Sequence, residues 1–312
     1  MRTRRLLVRS AVIATVLCVA VGALAAAKLP KPGTAAQVAS LVAASPTIET
    51  LPSNLVPPLS EASTDNAQAY YGVVGRECDG VTKCVFAATK SKTTIVLFGD
   101  SHAQMWLPAL VPVAERAHDR LALVWRAGCP AATISVWDAT THSIDKGCNT
   151  FRSTMIAQIR KLAPALVLIA DRTSDIPGAN NVLTTDAAWE SGEKTTIASL
   201  KEKSTKVAVI GDITAFTSAP PECLAANPTA VQRCSAPNPN PKTHQHFAAE
   251  RAAASFEDVP YLDPQPWLCT STTCTAVIGN MVAYYDEFHV TATYAEYLSG
   301  VWGIALKSLL DT

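Results

Sequence analysis

Three side chains in this 312-residue chain have the types and spacing of a nucleophile and its proton relay. Ser101 stands in Gly99-Asp100-Ser101-His102-Ala103, at the end of the β-branched, apolar run Thr94–Phe98. Asp286 and His289 stand three residues apart in Tyr285-Asp286-Glu287-Phe288-His289, just ahead of the last helical pattern. A serine hydroxyl attacks a carbonyl carbon only if a base takes its proton, and the base needs an acid to fix its tautomer. With that spacing in a turn, the Asp286 carboxylate can reach Nδ1 of His289 and leave Nε2 facing outward. Each residue also has an ordinary structural reading. Ser101 is equally a helix N-cap, Asp286 equally a cap of the terminal helix, and His289 a surface histidine. Spacing alone leaves both readings open.

The elements around these residues decide whether they can meet. Strand patterns fall at Thr94–Phe98, Leu121–Trp125, Ala165–Ala170, Lys206–Gly211 and Pro260–Asp263. Helical patterns lie between and after them, at about His102–His118, Asn149–Leu162, Thr185–Lys203, Thr243–Phe256 and Thr291–Leu310, with Pro108 and Pro112 expected to break or kink the first. Such alternation predicts an α/β fold: a three-layer α/β/α sandwich with a central parallel sheet, because parallel strands need crossovers and these run right-handed. Ligands in that architecture sit beyond the carboxyl ends of the strands, where Ser101 falls. At a strand-to-helix junction its own N–H can also face an oxyanion.

Composition narrows the partners. Lys+Arg and Asp+Glu both total 26, so the formal charge is zero and no basic field argues for nucleic acid. Arg2, Arg4, Arg5 and Arg9 precede an uncharged apolar run of seventeen residues, Ala11–Ala27. A membrane span needs roughly 20 residues, and small-residue cleavage sites are present, so residues 1–28 read as a signal peptide or a signal anchor. The rest is then extracytoplasmic, tethered to the cytoplasmic membrane or secreted. Residues 29–60, rich in Pro and Ala, read as a tether with one short helix near Ala35–Ala44; residues 61–90 as an extension carrying Cys78 and Cys84; and residues 91–312 as the main domain. Eight exported cysteines fall in close pairs, Cys78 with Cys84, Cys129 with Cys148, Cys223 with Cys234, and Cys269 with Cys274. Proximity favours sequential disulfides over the other connectivities, and the absence of C-x-x-C speaks against zinc.

Gly-Asp-Ser-His-Ala at one end of the chain and Asp-x-x-His at the other, with the paired cysteines and the Arg126-Ala127-Gly128-Cys129-Pro130 segment, resemble the SGNH/GDSL hydrolase superfamily. The likeness is greater to the SGNH domain associated with acyltransferase-3 membrane proteins, which modify cell-envelope polysaccharides. The resemblance implies an SGNH/flavodoxin-like fold, Ser101 as nucleophile, His289 as general base and acid, and Asp286 as orienting carboxylate. It implies acyl transfer to, or ester hydrolysis on, hydroxyls of an envelope polysaccharide or peptidoglycan-type glycan, with acetyl as the acyl group. A separate acyltransferase-3 membrane protein would be the donor. The superfamily's third block, Gly-x-Asn-Asp, supplies an oxyanion donor through its Asn; here the strand end reads Ala170-Asp171-Arg172-Thr173. Arg172 and a backbone N–H near Gly128, with the Ser101 N–H, are the replacements to examine. Asp100 and His102 flank the nucleophile as pocket residues. The missing Asn also suits a different class, a non-catalytic glycan-binding or scaffold domain that kept the fold. His244-x-His246 lies in a helical pattern and points to no metal site, Asp212 repeats a strand-end Gly-Asp without a serine, and no cofactor motif occurs.

Overall fold

The computed structural model describes residues 31–73, 78–240 and 243–311. Thr94–Gly99 is buried at every position, and its side chains divide by parity: Ile95 and Leu97 enter one apolar cluster, Val96 and Phe98 another. Successive strand residues point to opposite faces, so this division marks a strand covered on both sides. The same parity holds for Leu121 and Leu123 against Ala122 and Val124, and for Leu166 and Leu168 against Val167 and Ile169.

Six strands form the main sheet: β1 Cys84–Ala87, β2 Thr94–Gly99, β3 Arg120–Trp125, β4 Leu166–Ala170, β5 Lys206–Ile210 and β6 Tyr261–Leu262, in the order β1-β3-β2-β4-β5-β6. Strands β2 to β6 are parallel, as the sequence alternation predicts; β1 is an added edge strand antiparallel to β3. The register pairs Gly99 with Trp125 on one side and with Ala170 on the other. Ser101 therefore follows the central strand at the point where the strand order reverses, between β2 and β4.

Helices cover both faces. One layer holds α1 Ala35–Ala44, α2 Ser101–Met105, α3 Leu107–Ala117, α7 Ala292–Tyr297 and α8 Ser299–Asp311, which bring Val38, Val42, Leu107, Leu110, Tyr294 and Trp302 into the first cluster. The other holds α4 Lys146–Leu162, α5 Asp186–Leu200 and α6 His244–Phe256, with Phe151, Ile159, Trp189, Ile197 and Ala253 in the second. The pattern read as one helix from His102 to His118 is two, α2 and α3, parted at Trp106. Pro108 falls in the first turn of α3, where its missing N–H removes no bond, and Pro112 lies inside the helix. The terminal pattern is likewise two helices, α7 and α8, with Leu298 between them.

All four sequential cysteine pairs are bonded, which fits an extracytoplasmic, oxidising compartment. The segment expected as a tether lies on the domain over its described part. Thr34 and Gln37 form a capping box for α1, whose Val38 and Val42 are 1% and 4% exposed. The Gly33 N–H donates to Tyr297 O at 2.8 Å, and Val56 is paired with Asn280 and Val282 through backbone hydrogen bonds. The helix expected near Ala35–Ala44 is α1, and Val38 and Val42, four residues apart on one face, seat it on the domain. A cavity of about 860 Å³ beside this segment is lined by Pro32, Thr93, Ala165, Ile304 and Lys307, at the amino ends of β2 and β4. The apolar run Ala11–Ala27, read as an export signal or anchor, lies outside the described residues. Among those described, no helix is long and apolar enough to cross a membrane.

Candidate active site

The strand β2 ends at Gly99 because the turn there needs a residue without a side chain. A Cβ on Gly99 would stand 2.0 Å from Ala170 O and 2.7 Å from Asp171 Oδ1. Asp100 then caps α2: its Oδ1 accepts the His102 N–H at 2.8 Å, and its carboxylate also accepts the Arg172 N–H at 3.1–3.2 Å from the end of β4. The cap is thus Asp100 and not Ser101, which leaves the serine hydroxyl free for another partner.

That partner is His289. Its Nε2 lies 2.8 Å from Ser101 Oγ, and its Nδ1 lies 2.9 and 2.8 Å from the two oxygens of Asp286. The loop that delivers the pair is tied at its base by the Tyr284–Val290 bridge and by the Tyr285 N–H on His289 O at 3.0 Å. Within it Asp286 Oδ1 accepts the N–H groups of Phe288 and His289, both at 2.8 Å, an aspartate turn that aims the carboxylate back at the ring. The terminal helices take no cap from Asp286; Thr291 caps α7 through the Tyr294 N–H. Burial pushes the Asp286 carboxyl up, but the His289 hydrogen bond and charge and the two loop N–H groups outweigh it and hold the acid below its usual range. A carboxylate so held stays ionised and favours the Nδ1–H tautomer, in which Nε2 accepts a hydrogen bond from the Ser101 hydroxyl.

The surrounding groups are less predictable from spacing. The Tyr285 ring stacks on His289 at 5.3 Å, and the Arg172 guanidinium lies 3.8 Å from the Phe288 ring centre. Arg172 Nη2 is 3.6 Å from Asp175, while Nε is buried without a partner. Gly128, with φ +63°, is exposed in the loop after β3. That loop is drawn to the site by the Arg126 N–H on Gly99 O and held by the Cys129–Cys148 bond. Asp171, at the position next to Arg172, is turned away: its two oxygens accept the Ala131 and Ala132 N–H groups at 2.8 and 3.0 Å. It ties down the Cys129 loop and does not replace the missing Asn. His102 does not face the serine as a base; its Nδ1 lies 2.7 Å from Asp212, itself at the end of β5. The repeated strand-end Gly-Asp was the sequence signal for Asp212. His246 pairs with Asp186 at 2.8 Å, and no described group of three or more His, Cys, Asp and Glu side chains is arranged to hold a metal ion.

Residues 68–303 match the family model described as the SGNH domain fused to AT3 domains. The chain belongs to the SGNH family. Among solved structures, the SGNH fold here is similar to the periplasmic domain of a lipopolysaccharide acetyltransferase from Salmonella ser. Paratyphi A, with a TM-score of 0.57 and 15% identity over 79% of this chain and 98% of that one. It is also similar to the inhibitor-bound aryl esterase of M. smegmatis, with a TM-score of 0.46 and 17% identity over 70% and 100% of the two chains. A carbohydrate acetylesterase from Sinorhizobium meliloti gives 0.44 and 14% identity over 70% and 99%. At these identities the likeness is one of fold. No match was found among curated proteins.

Proposed function

We propose that this SGNH protein is an extracytoplasmic serine O-acyltransferase or esterase acting on cell-envelope glycan hydroxyls through an acyl-Ser101 intermediate. The observation that carries the reading is the continuous relay from Asp286 through His289 to Ser101 Oγ, with every link at 2.8–2.9 Å. As Oγ attacks the acyl carbonyl, its proton passes to His289 Nε2, and Asp286 stabilises the resulting imidazolium. The tetrahedral oxyanion is met by the Ser101 N–H, the Gly128 N–H and the Arg172 guanidinium. Collapse expels the leaving group, which takes the proton back from His289. A sugar hydroxyl or water, deprotonated by His289, then attacks the acyl-serine and releases it. Support for a glycan acceptor and an acetyl group comes from the family's association with AT3 domains and from the fold shared with a lipopolysaccharide acetyltransferase domain. An acyltransferase-3 membrane protein is the proposed donor, and residues 1–28 the proposed anchor or cleaved signal.

The absence of an Asn at the end of β4, where Asp171 is spent on loop N–H groups, favours one other reading: an SGNH domain that binds glycan without turning it over. A single experiment separates the two. Wild-type protein is expected to be labelled by a serine-reactive fluorophosphonate and to hydrolyse p-nitrophenyl acetate, while Ser101→Ala does neither. Labelling that persists in Ser101→Ala would remove the nucleophile assignment, and glycan binding by an unlabelled, inactive wild type would establish the binding domain.

A further inference from the structure

We propose that His102, held by Asp212, is a positioning residue for His289: it fixes the orientation of the relay imidazole and sets a negative charge behind it. The proposal rests on the reading of Ser101, His289 and Asp286 given above. His102 follows the nucleophile in sequence and is 2% exposed. Its Nδ1 lies 2.7 Å from Asp212 Oδ1, and its ring meets the His289 ring edge-on, 4.9 Å between centres at 65°. Asp212 is itself immobilised. Oδ2 accepts the Thr173 N–H at 2.9 Å and the Thr173 hydroxyl at 3.0 Å, and Oδ1 accepts the Ile213 N–H at 2.7 Å. A histidine buried only for packing has both nitrogens satisfied. Nε2 of His102 is enclosed and has no hydrogen-bond partner, so the ring is held from the Asp212 side and delivers its other side to the site.

The charges around the pair give it a direction. Burial disfavours protonated His102, and His289 and Arg172 act in the same sense, so the ring is held below its usual pKa although Asp212 opposes this. Asp212 is held below the ordinary carboxylate range by His102 and by the Thr173 and Ile213 N–H groups, against its burial. Asp100, the remaining acid beside the ring on its own turn, is pushed up by burial and by Asp171. The dyad is therefore a neutral imidazole on an ionised carboxylate. When His289 takes the serine proton it becomes a cation packed against this unit, in a site with little water to screen it. The fixed ring also blocks the rotation that would carry His289 Nε2 away from Ser101.

His102→Gln and Asp212→Asn are to be compared with wild type by three readouts: the pH dependence of kcat/KM on p-nitrophenyl acetate, the kcat and KM values, and the NMR titration of the His289 ring. Removing the Asp212 charge makes the His289 cation costlier. Asp212→Asn is thus expected to move the acid limb of kcat/KM to lower pH by about one unit. His102→Gln keeps a donor for Asp212 but loses the ring wall, and is expected to lower kcat about tenfold with KM little changed. Folded variants that keep the wild-type acid limb, kcat and His289 titration overturn the proposal, whatever their melting temperatures. Should neither variant fold, wild type decides: His102 is expected to stay neutral while His289 titrates, and a His102 that becomes a cation over the same range overturns it. A wild-type protein without labelling or turnover defeats the reading of Ser101 instead, and the His289 titration then tests this proposal by itself.

Discussion

The backbone N–H of Arg172 ties the end of β4 to Asp100, and its guanidinium carbon lies over the ring of Phe288, the residue before His289, with Nε unpaired. A planar donor stacked beside the relay and short of one acceptor is suited to a developing oxyanion. Arg172→Ala is expected to reduce kcat by ~10²–10³ with little change in KM for a small ester, and Arg172→Lys to recover only part of it, as steady-state kinetics will read. An effect confined to KM would move Arg172 from the transition state to substrate binding. The relay itself was legible in the sequence because a three-residue separation confines Asp286 and His289 to one turn. What spacing left open was whether Ser101 caps the helix; Asp100 is the cap, and its bonds to the His102 and Arg172 N–H groups depend on where β4 ends. Asp212 behind His102 was hidden for the same reason, since only the sheet brings the ends of β2 and β5 into one neighbourhood.

Among the elements, the seam between β2 and β4 carries the tightest constraint. Gly99→Ala would drive a methyl group into the Ala170 carbonyl at 2.0 Å, so the two strand ends must part and Arg172 must leave Asp100. The expected result is loss of fluorophosphonate labelling with a destabilisation of about 1–3 kcal/mol, the usual range for overpacking, measured by urea unfolding. Labelling at the wild-type rate would mean that the seam tolerates the shift. Strands β2 to β5 were readable because near-continuous burial leaves unbroken apolar runs, while the half-buried β6 was read from a short one. The edge strand β1 was not, since all four of its residues are only half-buried and Cys84–Ala87 shows no alternation to detect. The helix break at Leu298 escaped because the apolar period continues across it and only the local backbone changes, whereas the break at Trp106 falls just ahead of Pro108, one of the two prolines expected to interrupt that helix.

Over the whole molecule, buried acids set the pH response. Burial raises Asp100, Glu193 and Glu250 well above their usual values, and Asp171 up to about 7. A carboxyl whose pKa is higher folded than unfolded binds more protons in the folded state between those two values, so stability falls as pH rises through that window, for Asp171 from about 4 to about 7. Asp212 and Asp286, held low, act oppositely and lose their contribution below about 4. Glu193→Gln keeps an acceptor for the Trp189 indole N–H while removing the buried ionisable group. It is expected to match wild type where the Glu193 carboxyl is protonated and to melt higher as pH rises above the ordinary carboxylate range, by up to about 1.4 kcal/mol for each unit the carboxyl had been raised, roughly 2–4 °C. Melting curves that stay parallel across that range would count against a charged Glu193. Gly33 is seated on Tyr297 beside the cavity at the amino ends of β2 and β4. Any leash attached ahead of Lys31 pulls on the pole opposite the serine, with the six-residue span of β2 between them, about 20 Å of rise. Were residues 1–28 the anchor proposed above, the candidate active site would lie on the far side of the domain from the membrane.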